Sequence, residues 1–269
     1  MQVTFQTNEG DTPKSAIGLQ HGSWLDPRRG SAPVSWGFNP RLCLLFPVVC
    51  EYYAATATPQ DSFFSHSSGY MNVWEAEDAP FQRFAAQTIA LVERYMPASR
   101  SIDVWTGSEY NGTAEKTFPV PVSLKNYSRY QKAAGGKVQM FTQAPSGFDN
   151  GTATNLWLGD GTPVFMTPRY LHYVCEIPYY ACDPTRPEAT IAQRILRAMG
   201  DGDGALPSPR FAMVYGLVSG MRTYSGGSTT KVHVSIFEVI EKVQALLPEA
   251  VEVVTTDEFV ALARAAAPQ

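Results

Sequence analysis

The chain reads as α/β, a (β/α) barrel of TIM-like or distorted form, and three observations predict this. Eight short β-branched or aromatic runs recur at residues 3–6, 33–36, 62–65, 102–105, 138–142, 164–167, 211–215 and 251–255. Apolar patterns at helical spacing separate most of them, and strands alternating with helices argue for a parallel sheet with crossover helices. The length of 269 residues suits one such barrel. In that architecture chemistry sits where the strands end, and the strand ends here are polar and Gly-rich.

Taken in order, the first run leads into a Gly/Pro/Trp-rich loop over residues 10–30. The second ends at Phe38-Asn39-Pro40, and residues 41–56 read as a helix kinked at Pro47, which lacks an amide N–H and clashes with the preceding turn. The third ends at His66-Ser67-Ser68-Gly69-Tyr70. A helix over 75–96 follows, with Phe81, Phe84, Ala85, Thr88, Ile89, Val92 and Tyr95 on one face. The fourth run ends at Thr106-Gly107-Ser108-Glu109, and a short helix near 124–133 precedes the fifth, which ends at Gln143. Residues 155–165 resemble a hairpin around Gly159-Asp160-Gly161. The sixth run ends at Pro168-Arg169-Tyr170, and the helix over 190–199 is terminated at Gly200. The seventh ends at Tyr215-Gly216, and 235–247 is an amphipathic helix. The last helix opens with a capping-box pattern at Thr256-Asp257-Glu258-Phe259. Without a low-complexity linker or charge block, residues 1–269 read as one domain.

Composition excludes several classes. A net charge of -4 with no clustered basic stripe argues against a nucleic-acid partner. No apolar run approaches the roughly 18 residues of a membrane span. P-loop, GxGxxG, HExxH and GxSxG motifs are absent, so no nucleotide cofactor, zinc-protease chemistry or α/β-hydrolase chemistry is implied. No cofactor or metal is expected. On a continuous helix Cys43 and Cys50 would stand about 10 Å apart along the axis, too far for a disulfide. Cys175 and Cys182 either close a small loop disulfide or remain buried thiols.

Candidate catalytic groups lie at the strand ends. Glu9 and Asp11, separated by a glycine after the first strand, could act as acid and base. His66 titrates near neutrality and could donate a proton. Glu109 follows the fourth strand. Asn8, Trp24, Asn39, Gly69, Tyr70, Gln143, Arg169 and Tyr170 are the substrate-binding candidates; aromatic faces stack on sugar C–H surfaces while polar rim groups bind hydroxyls.

Three stretches carry a family resemblance. Gly10-Asp11, Trp24-Leu25-Asp26-Pro27-Arg28-Arg29-Gly30 and Pro33-Val34-Ser35-Trp36-Gly37-Phe38-Asn39-Pro40 resemble the C-terminal region of the bacterial GxGYxYTRP proteins. Pro47 within a helix leading to Tyr52-Tyr53, Ser67-Ser68-Gly69-Tyr70-Met71 in place of the family's Gly-Tyr motif, and the closing Thr256-Asp257-Glu258-Phe259-Val260 are similar too. Ser68-Gly69-Tyr70-Met71-Asn72 lacks the full name motif, and the likeness is thin between 107 and 230. The resemblance implies a barrel-like α/β domain, an extracytoplasmic setting, carbohydrate hydrolysis, and Asp11 with the Gly69-Tyr70 loop at the site. It also fits a longer protein with an N-terminal partner domain.

The function expected is therefore carbohydrate hydrolysis of glycoside-hydrolase type. Glu9 or Asp11 supplies one carboxylate and Glu109 a second, His66 and Tyr70 orient or protonate, and Trp24 and Tyr170 line the sugar site. The alternatives are a non-catalytic glycan-binding or cell-surface structural domain and, third, a metal-dependent deacetylase in which Asp11 and His66 converge with another ligand.

Overall fold

The computed structural model describes residues 1–7, 15–66, 77–96, 101–103, 109–110, 115–116, 120–143, 154–166, 171, 187–202, 205–206, 208–217, 221–224 and 231–268. In chain order the elements are β1 (Gln2–Thr7), a π-helical stretch (Ser15–Gln20) running into α1 (His21–Trp24), β2 (Val34–Phe38), α2 (Pro40–Leu45), α3 (Pro47–Thr56), β3 (Asp61–His66), α4 (Asp78–Tyr95), β4 (Ser101–Asp103), β5 (Glu109–Tyr110), β6 (Glu115–Lys116), α5 (Val120–Ala133), β7 (Met140–Gln143), β8 (Thr154–Trp157), β9 (Pro163–Met166), α6 (Pro187–Met199), β10 (Phe211–Leu217), β11 (Met221–Tyr224), β12 (Lys231–Val234), α7 (Ile236–Leu246), β13 (Glu252–Val253) and α8 (Thr256–Ala265).

Nine strands form one sheet in the order β10-β1-β2-β3-β4-β7-β9-β8, with β13 also beside β1. All pairings are parallel except β8 with β9, the hairpin expected around Gly159-Asp160-Gly161. A TIM barrel pairs its last strand with its first. Here β8 runs antiparallel at one end and, among the described residues, pairs only with β9. The fold is a mixed α/β arrangement with a curled, half-barrel sheet, the distorted form of the expected barrel, and full TIM closure is not seen among the described residues. The two ends still approach: the Asn155 side-chain amide donates to the Pro209 carbonyl at 3.2 Å, and the Phe165 and Phe211 rings lie 5.6 Å apart.

Period-two alternation divides the strands between two faces. Val3, Phe5, Val34, Trp36, Phe38, Ile102, Phe141, Val164, Ala212 and Val214 point outward into the main core, where they meet the apolar faces of the helices. α4 buries Phe81, Ala85, Thr88, Ile89, Val92 and Tyr95, the face the spacing predicts. The inner face carries Thr4, Gln6, Ser35, Ser62, Phe64, Met213 and Tyr215, all buried. At the N-terminal ends of the strands α8 seals this inner face. Phe259 meets Phe165 and Phe211 edge-on at 5.2 and 5.4 Å, and Met140, Val260 and Ala263 complete the cluster. The capping box of α8 sits one residue earlier than the sequence suggested. Thr255 is the N-cap, its hydroxyl accepting from the Glu258 amide while Glu258 accepts from the Thr255 amide. Thr256 turns inward instead. Its hydroxyl lies 3.1 Å from that of Thr4, and its amide donates to Ser62 Oγ at 3.2 Å.

The expected helix over 41–56 is two helices. Asn39 caps α2, accepting from the Arg41 amide at 2.9 Å ahead of Pro40. Phe46 leaves helical geometry (φ -133°, ψ 64°), and Pro47 then opens α3 as its first residue, where its missing N–H is harmless. The break brings the Cα atoms of Cys43 and Cys50 to 5.4 Å, and they form a disulfide. The exclusion of this pair is thus overturned, because it assumed an uninterrupted helix.

Two outcomes follow for urea denaturation. Phe259→Ala should lower the unfolding free energy by about 3–5 kcal/mol, the range for truncating a fully buried Phe; a loss below about 1 kcal/mol would mean α8 does not seal the sheet. Replacing both Cys43 and Cys50 by Ser should cost about 2 kcal/mol, as expected for a short closed loop. Unreduced, unfolded protein that takes up alkylating label at both positions would contradict the bridge.

Candidate functional site

With α8 against the N-terminal strand ends, the C-terminal ends form the opposite mouth of the curled sheet. Cα register fixes which residues stand side by side there. Gln6 of β1 pairs with Tyr215 of β10 on one side and with Ser35 of β2 on the other. Ser35 pairs with Ser62. One level nearer the mouth, His66 of β3 pairs with Asp103 of β4, Asp103 with Thr142 of β7, and Thr142 with Phe165 of β9.

At the level of Gln6, Ser35 and Tyr215 the described inner face carries no charged side chain. Gln6 and Ser35 are both 0 % exposed, and Tyr215 packs on Phe64 beside them. Both polar atoms of the Gln6 amide, and the Ser35 hydroxyl, lack a hydrogen-bond partner. Buried polar groups are nearly always paired, so two unpaired ones on adjacent strands mark the place where something else is expected to bind.

The sequence candidates fall into three groups. Asn8, Glu9, Asp11, Gly69, Tyr70, Arg169 and Tyr170 lie outside the described residues, as do Cys175 and Cys182. His66 and Gln143 are the last residues of β3 and β7, as expected, while Glu109, next after β4 in the order of elements, begins the β5–β6 ribbon, paired with Lys116. Trp24 and Asn39 are described in full.

Trp24 is corrected. It is 2 % exposed and sits outside the sheet, among Trp36, Tyr53 and Phe63 at ring distances of 5.1, 4.6 and 6.1 Å. Its indole N–H donates to Thr56 Oγ1 at 3.0 Å, and the Arg29 guanidinium lies 4.2 Å over its ring. Arg29 is held in turn by Asp61, which also accepts from the Trp36 indole at 2.8 Å. The Gly/Pro-rich segment carries Trp24 behind β2 and β3, where a large aromatic is core. Burial pushes the Tyr53 phenol up, so it stays a donor, to the Ala16 carbonyl at 2.7 Å. Asn39 ends β2 but uses its side-chain oxygen to cap α2. It lines a groove of about 310 Å³ between α2 and α4, together with Leu44, Phe84 and Leu91. That groove is mostly apolar and offers no convergent acid, base or nucleophile.

Two residues were missed. Gln6 was read only as part of a strand, although alternation with Val3 and Phe5 already set it on the inner face. Asp103 lies inside the fourth run, 102–105, as the sequence predicts it, whereas β4 ends at Asp103, beside His66. Among the described residues no three His, Cys, Asp or Glu side chains converge as a metal site.

Comparisons with known proteins agree with this architecture. A "putative hydrolase" from Bacteroides thetaiotaomicron VPI-5482 superimposes with a TM-score of 0.71 at 17% identity, over 100% of this chain and 46% of that one. A "putative polysaccharide deacetylase" from Mycobacterium smegmatis gives 0.54 at 13% identity, over 98% of this chain and 90% of that one. At these identities the likeness speaks for the fold. No curated protein matches the sequence. Residues 1–207 match the family described as "GxGYxYP putative glycoside hydrolase C-terminal domain". That span takes in the region after 107 where the motifs are thin, and stops short of the closing helix. The chain belongs to the GxGYxYP family through its C-terminal domain.

Proposed function

We propose that this domain is a carbohydrate-active hydrolase of glycoside-hydrolase type, working at the C-terminal mouth of its half-barrel. The observation that carries the reading is the shape of the sheet within this family: sealed at the N-terminal strand ends by α8, with a buried polar floor at Gln6 and Ser35 toward the C-terminal ends. Glu9 or Asp11, which follow β1, supply one catalytic carboxylate. Glu109 is the candidate second, and His66 and Tyr70 orient the substrate or protonate the leaving oxygen. Asn8, Gly69, Gln143, Arg169 and Tyr170 contribute binding groups. An acid protonates the glycosidic oxygen while the second carboxylate attacks the sugar or activates water. A separation of about 5–5.5 Å predicts retention of configuration, and about 6.5–9.5 Å predicts inversion.

A second reading, hydrolysis of an N-acetyl or ester group on a sugar, is favoured by one observation. The register sets His66 beside Asp103, a pair that could join Asp11 in holding a divalent metal. The Cys43–Cys50 disulfide supports an extracytoplasmic setting, since such bonds persist in oxidising compartments. An N-terminal partner domain in a longer protein is supported by the family description and by the 46% coverage of the Bacteroides protein.

Product analysis on a panel of oligosaccharides tests both readings. The glycosidase reading predicts new reducing ends that persist in EDTA, with turnover in Asp11→Asn lower by about 10²–10⁴-fold and the fold intact. Released acetate that EDTA abolishes would replace it with the deacetylase reading. Binding with neither product would leave a glycan-binding domain.

A further inference from the structure

The Gln6 amide is the most informative group that the proposed mechanism leaves unused. It is fully buried on the inner face, at the mouth end of β1, and neither its nitrogen nor its oxygen has a partner. Ser35, its register neighbour on β2, is in the same condition. Packing alone gives no reason for an amide here, because a leucine or methionine would fill similar space without stranding polar atoms. The neighbours that face it, Tyr215 and Phe64, form an apolar wall. Thr4 and Ser62, one layer below, are already engaged with Thr256.

We infer that Gln6 and Ser35 form a deep subsite that receives one uncharged polar group of the substrate, a sugar hydroxyl or acetamido group. This deepens the carbohydrate reading and rests on it. A carboxamide offers a donor and an acceptor side by side, and the serine hydroxyl offers either. Such a set matches a group that both donates and accepts. It gives no compensating charge for a carboxylate or phosphate, whose burial without a counter-ion is strongly unfavourable. The subsite therefore selects neutral sugars over uronic acids at this depth. The atoms are out of reach of bulk water in this form.

The test uses Gln6→Leu, with Gln6→Met as a second variant, and equilibrium calorimetry after long incubation. The probes are cellohexaose, xylohexaose, chitohexaose and the hexamer of polygalacturonate. Wild type should bind at least one neutral hexasaccharide and not the anionic one. Preference for chitohexaose assigns the acetamido group, and preference for the others assigns a hydroxyl. Both variants should melt at or above the wild-type temperature while binding about ten-fold or more weakly, the loss expected when a buried hydrogen-bonding set is removed. Unchanged affinity in the variants, or a lower melting temperature in both, would overturn the subsite and make the amide structural. Preference for the polygalacturonate hexamer would overturn its neutrality. Wild type that binds none of the probes would overturn the carbohydrate reading as well. That outcome is distinct, because failure of the subsite alone leaves wild-type binding in place.

Discussion

The wedge of α8 under the sheet is the interaction on which the rest depends. Among the described residues the ends of the curled sheet do not pair, and at the N-terminal strand ends its inner face presents Met140, Phe165 and Phe211. Phe259 fills that opening, and the reciprocal cap at Thr255 and Glu258 fixes where the helix begins. The same register turns Thr256 inward to satisfy Thr4 and Ser62. One end of the sheet is thereby closed with polar and apolar groups both matched. The opposite end, where the parallel strands terminate, is where we propose the chemistry to lie.

The inner face changes character along the strands. Near α8, Thr4 and Ser62 are paired with Thr256 and the aromatics interlock. At the level of Gln6 and Ser35 the pairing stops. Unpaired buried groups lower stability, and groups of this kind concentrate where a protein binds something. In the outer layer Trp24, Arg29, Trp36 and Asp61 interlock by stacking and hydrogen bonds.

Much of this was legible in the sequence because period and punctuation are local. The eight runs mark strands, the apolar spacing gives the buried face of α4, and Gly159-Asp160-Gly161 marks the hairpin. What escaped was tertiary. A helical wheel presumes one axis, so a break at Pro47 that joins Cys43 to Cys50 was invisible to it. Trp24 looked like a mouth residue because its loop follows β1, and nothing local says that the loop runs behind β2. Adjacent threonines at 255 and 256 made the cap ambiguous by one residue. Gln6 was hidden because an amide in a strand looks ordinary until its neighbours are known to leave it unpaired. The acidic residues after β1 lie outside the described residues, and their roles remain the sequence reading.

The most direct measurement is a crystal structure of the domain soaked with the tightest-binding neutral oligosaccharide. Sugar density over the C-terminal ends of β1 to β4, with one hydroxyl or acetamido group within hydrogen-bond distance of Gln6, is the predicted result. Sugar bound only on the outer helical layer, such as the groove between α2 and α4, would contradict the assignment of the strand-end mouth as the site.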